Sequence, residues 1–150
     1  MTRQHAQLEV VAGMKREEER QAGEALRIAQ TKLAEEEERL HAVEIYVDEY
    51  HASTLTGTVD LRRLRGQHQF LSQLEQTLEA QRRQVSACRQ RLEAARARWL
   101  SARMQRQAME KLIEKRMDGA ALDARRTEQR QQDDLALQAS ARRLAAGNAH

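Results

Sequence analysis

Apolar residues recur at every seventh position from Leu64 to Ile113: Leu64, Leu71, Leu78, Val85, Leu92, Trp99, then Arg106 as the one interruption, then Ile113. Three residues after each of these stand Gln67, Leu74, Gln81, Cys88, Ala95, Ala102, Met109 and Arg116, and five of those eight are apolar. A globular helix changes neighbours along its length and needs no such long seam. A seven-residue repeat kept up over this distance predicts a helix supercoiled against a partner helix.

An earlier segment carries the same repeat. Leu26, Leu33, Leu40 and Val47 recur at seven, with Ala29, Glu36, Val43 and Tyr50 three residues on. Before Leu26 the pattern decays through Glu19 and Ala12, with Ala22 and Lys15 between. Helix one is expected over about residues 4–52, roughly 70 Å long at 1.5 Å per residue. A turn follows over residues 53–60, where threonines cluster around Gly57; this glycine can end a helix in a left-handed conformation, and Thr58 or Asp60 can cap the next. Helix two is expected over about 61–117, with a break at Asp118-Gly119 and a weakly ordered helical tail over 118–150. A short connection forces two long helices antiparallel. The expected fold is therefore all-α: one coiled-coil domain over 1–150, a long antiparallel two-helix hairpin with a frayed helical C-terminal tail. Its seam core is Leu33, Leu40, Val47, Leu78, Val85, Leu92 and Trp99.

Composition strengthens this reading. Aromatics are 3% of residues, charged residues 33%, and proline is absent, a profile that favours long helices over a thick core. The net charge of +3 hides a division: residues 1–50 hold 7 basic and 12 acidic side chains, and residues 51–117 hold 14 basic and 6 acidic. Folding about the turn sets Glu17–Glu19 opposite the region of Arg89–Arg98, and the Glu35–Glu38 run near Gln73–Arg82. Such exposed pairs are worth about 0.5 kcal/mol each and serve register rather than stability. The single cysteine, Cys88, lies on the seam, and no apolar run suits a signal peptide or a membrane span, so a cytoplasmic location is expected.

Candidate chemistry is sparse. Glu38 and His41 have the Glu-x-x-His spacing of di-iron bundles, but the partner motifs such a site needs are missing and His41 sits beside the seam. No catalytic residue, metal ligand, cofactor site or small-molecule substrate is expected, because a two-helix rod has no concave pocket for them. Between Arg82 and Arg106 stand eight arginines against the single acid Glu93. Nucleic acid or a scaffolding partner is the alternative use of that flank; interleaved aromatics for base stacking are missing, and a solvated face complementing the acidic first helix is the main reading. Phe70, one residue before seam position Leu71, either packs on the turn or docks a partner.

The Tyr46-Val-Asp-Glu-Tyr50 stretch, the turn, the run from Gln67 through Phe70 and Leu74 to Glu75, and Trp99 in helix two together resemble the FliJ family of flagellar export proteins. The likeness covers about residues 5–138. It implies a non-enzymatic stalk of the flagellar protein export apparatus, peripheral to the cytoplasmic face of the inner membrane. Such a stalk would link the export ATPase ring to the membrane export gate protein and cycle export chaperones. By this resemblance Phe70 and Leu74 match gate-contact positions. Thr77 and Gln81 fall at two further ones, where alanine and histidine are the family's residues. The ends of the hairpin, including Leu8, Val11, Arg16, Met109 and Arg116, would face the ATPase.

Overall fold

The computed structural model describes residues 2–54 and 61–148, and all of them are helical: α1 spans Thr2–Thr54 and α2 spans Leu61–Asn148. No proline interrupts either helix, and their faces are laced by pairs three residues apart. Arg20 holds Glu17 at 2.7 Å and Arg27 holds Glu24 at 2.6 Å, contacts that add a few tenths of a kcal/mol each to helix stability. The last turn of α1 runs two residues past the expected end. There the Ser53 and Thr54 hydroxyls donate to the carbonyls of Tyr50 and His51, both at 2.9 Å. Gly57, Thr58 and Asp60, expected to form the turn and its cap, lie outside the described residues.

The expected break at Asp118-Gly119 is not a break: α2 passes through it without leaving helical geometry. A glycine inside a helix costs only about 1 kcal/mol relative to alanine. The following Ala120-Ala121-Leu122 are strong helix formers.

Two compact units divide the chain, Lys15–Met104 and Met1–Met14 with Gln105–His150. Within Lys15–Met104 the helices pair antiparallel, as three contacts along the seam show. Gly23 meets Trp99, Glu36 meets Gln81, and Tyr50 meets Phe70. The first index rises by nearly as much as the second falls, so the register holds along the hairpin. Val47, Val85 and Cys88 are buried, while Leu33, Leu40, Leu78, Leu92 and Trp99 are half-buried. Half-burial is what a two-helix seam allows, since neither helix is covered on its outer side.

The approach at Gly23 explains the register. A Cβ built there would stand 3.5 Å from the Trp99 indole, so the ring lies directly over the glycine. Where pairing with Arg89–Arg98 was expected, Glu17 and Glu18 bond along their own helix to Arg20 and Lys15. Glu37 and Arg89 form an acid–base bridge between the helices at 3.5 Å.

In the other unit, Ala12 and Ile113 are buried and Leu8, Val11 and Met109 half-buried. From Glu114 to Asn148 every residue of α2 is exposed. No described helix is long and apolar enough to cross a membrane.

Candidate partner-binding surfaces

Phe70, Leu74, Thr77 and Gln81 are spaced by four, three and four residues, which puts them on one stripe of α2. The structure gives each a different situation. Phe70 packs its ring on Tyr50, centroids 4.9 Å apart and planes tilted by 58°, yet remains 38% exposed. Tyr50 is itself oriented by its hydroxyl, which donates to the Gln67 carbonyl at 3.5 Å. One side of the ring is packed near the end of α1 and the other is open. Leu74 is half-buried in the seam, and Thr77 is exposed with its hydroxyl donating to the Gln73 carbonyl at 3.0 Å.

Gln81 is engaged inward. Its amide donates to the Glu36 carboxylate at 2.7 Å and to the Glu36 backbone carbonyl at 3.0 Å. The same carboxylate, 2% exposed as a residue, accepts from Lys32 at 3.0 Å and Arg39 at 2.8 Å. These donors hold the Glu36 carboxyl below the usual carboxylate range, the Gln81 amide foremost, against the opposing effect of burial. Burying a charge is tolerable only with such a set of partners. The bond between Gln81 and Glu36 bears out the expected placement of the Glu35–Glu38 run near Gln73–Arg82 and shows which two residues meet there. The two share a heptad position, at which Glu36 is the one polar residue among Ala29, Glu36, Val43 and Tyr50, and Gln81 is one of three polar residues with Gln67 and Arg116.

At the opposite part of the chain, within the unit containing both ends of the described residues, Leu8 joins Ala6, Met117 and Ala120 around an open apolar groove with Arg116 at its side. Val11 and Met109 are half-buried and Arg116 is exposed. Arg16 is exposed and belongs to the Lys15–Met104 unit, whereas Leu8, Val11, Met109 and Arg116 belong to the other.

The arginines of α2 divide by partner. Arg82 lies 3.9 Å from Glu79, Arg89 bridges to Glu37, and Arg103 sits over the Trp99 ring, 5.4 Å from its centroid. Arg91, Arg96 and Arg98 are exposed without an ion-pair partner among the described residues. Glu38 and His41 are both exposed, and among the described residues no three His, Cys, Asp or Glu side chains gather as a metal site.

A family model described as the flagellar FliJ protein matches residues 4–145. No curated protein matches the chain.

Proposed function

The chain belongs to the flagellar FliJ family and is a component of flagellar protein export, and from that premise we propose that it acts there as a non-enzymatic coupling stalk. In this reading it links the export ATPase ring to the membrane export gate, cycles export chaperones, and is needed for flagellum assembly and motility. It works in the cytoplasm, peripherally at the inner membrane beneath the flagellar base, and carries no cofactor. A coupling protein of this kind acts by binding the states of its partners with different affinities.

The observation that supports the reading most is Phe70, held by Tyr50 and open on its other side. A fixed, partly exposed aromatic beside a half-buried leucine is the usual composition of an interface anchor. In this reading Phe70 and Leu74 meet the gate with Thr77 beside them. Gln81 supports that surface from below, because its amide is held by Glu36. Leu8, Val11, Arg16, Met109 and Arg116 serve the ATPase.

Mixing the full chain with its cognate export ATPase tests the proposal. Faster ATP turnover or ring assembly is expected, together with weakened gate binding by Phe70→Ala and Leu74→Ala at unchanged helicity. No effect of the chain on the ATPase, or gate binding indifferent to both substitutions, would overturn it.

A further inference from the structure

The two flanks of the Lys15–Met104 hairpin differ in charge logic. On one, Glu37 of α1 and Arg89 of α2 bring opposite charges together across the seam. On the other, a groove of about 240 Å³ runs between the helices, with Ile28 and Ala29 of α1 and Cys88 and Ala95 of α2 on its floor. Lys32 and Arg91 stand at its sides. Small residues leave this space where leucines would fill it, and Ile28 is 55% exposed at its edge. The Lys32 ammonium is bonded to Glu36. Arg91 has no carboxylate partner among the described residues, nor has Arg98, seven residues on along the same line of α2. Lys32 and Arg91 thus flank the apolar floor, Arg98 stands two turns beyond Arg91, and no acid among the described residues bonds to either arginine.

We propose that this flank docks an acidic amphipathic helix of a partner protein. One branched aliphatic side chain enters between Ala29 and Ala95, and two carboxylates pair with Arg91 and Arg98. Seven residues of helix span roughly 10.5 Å, so the partner carries its carboxylates seven positions apart with the aliphatic residue midway. The apolar floor favours a helix over nucleic acid, whose backbone supplies phosphates but nothing to fill the groove. The surface shares no residue with the Phe70 stripe or with the ends assigned to the ATPase, so it stands or falls apart from the proposed coupling role.

The test uses the full chain and a fluorescein-labelled, helix-stapled peptide with glutamates seven apart and a leucine between them, followed by anisotropy. The peptide is expected to bind, more weakly as salt rises. The Arg91→Glu/Arg98→Glu chain is expected to lose about tenfold in affinity, as two partly exposed ion pairs imply. Ile28→Ser in the chain, or serine in place of the peptide's leucine, also weakens binding, and circular dichroism shows the variants still helical. Absence of binding, or binding unchanged in the double variant, overturns the proposal. Equal binding of the leucine-free peptide or of duplex DNA overturns it in favour of a general anion-binding face. Self-association of the chain alone that the double variant abolishes overturns it in favour of a second copy.

Discussion

Gln81 donates to both oxygens that Glu36 turns towards it, the carboxylate at 2.7 Å and the backbone carbonyl at 3.0 Å. The two residues occupy equivalent seam positions on opposite helices. A slip of one heptad would put Leu74 or Cys88 where Gln81 stands and leave the carboxylate facing an apolar side chain. One polar layer of this kind specifies register at some cost in stability.

Replacing Glu36 and Gln81 together by leucine should therefore raise the thermal midpoint by a few degrees while loosening register. Doubled or broadened amide resonances would report the loss of a single alignment. Gln81→Leu alone is expected to do the reverse, lowering the midpoint by a few degrees because the buried carboxylate keeps only Lys32 and Arg39.

Acid sensitivity follows from the same carboxylate. Its folded-state pKa is depressed below the ordinary value of 4.5, so its contribution is complete above that value and is lost as pH falls through the folded one. Glu17 and Glu24 are lowered as well, each mainly by its hydrogen bond to Arg20 or Arg27. A thermal midpoint nearly flat with respect to these groups from neutrality to about pH 4.5, then falling, is expected. Glu36→Gln should flatten the acid limb in a titration followed by circular dichroism.

Gly23 and Trp99 allow a size test of the register. An added Cβ would meet the indole at 3.5 Å, an ordinary contact. Gly23→Ala should thus keep the pairing and stabilise α1 by about 0.5–1 kcal/mol. Gly23→Leu cannot share the space with the ring. It should red-shift the emission of Trp99, the one tryptophan of the chain, and lower the thermal midpoint.

Burial separates seam from tail. Val85 is 2% exposed, and Val85→Ala is expected to cost about 2 kcal/mol. Leu135 is exposed, and Leu135→Ala should stay within about 0.5 kcal/mol in denaturant melts.

The heptad spacing made the seam legible before any coordinates: Leu40, Val47, Leu78, Val85 and Leu92 are the positions that turn inward. Folding about the turn also placed the Glu35–Glu38 run near Gln73–Arg82, without fixing that Glu36 and Gln81 are the residues that meet. That required the register, and the register depends on a small residue facing a large one at Gly23 and Trp99, a match that hydrophobic period does not score. The shift it causes explains why Glu37, and not Glu17–Glu19, reaches Arg89. The unbroken passage of α2 through Asp118-Gly119 into the expected helical tail has another reason. Loss of the apolar repeat reports loss of a packing partner, whereas the helix itself persists on the local propensity of Ala120, Ala121 and Leu122. The contact of Phe70 with Tyr50 was not legible, because it joins residues from the two helices and is set by the same register.

The wholly exposed run of α2 from Glu114 to Asn148 sets a second timescale within one continuous helix. Around Val85 an amide is released to deuterium only when the pairing with α1 opens. Beyond Glu114 it is released whenever a turn or two of helix melts, an event governed by local propensity alone. Exchange along α2 should therefore change rate near Ile113, with no break in the helix to mark the change.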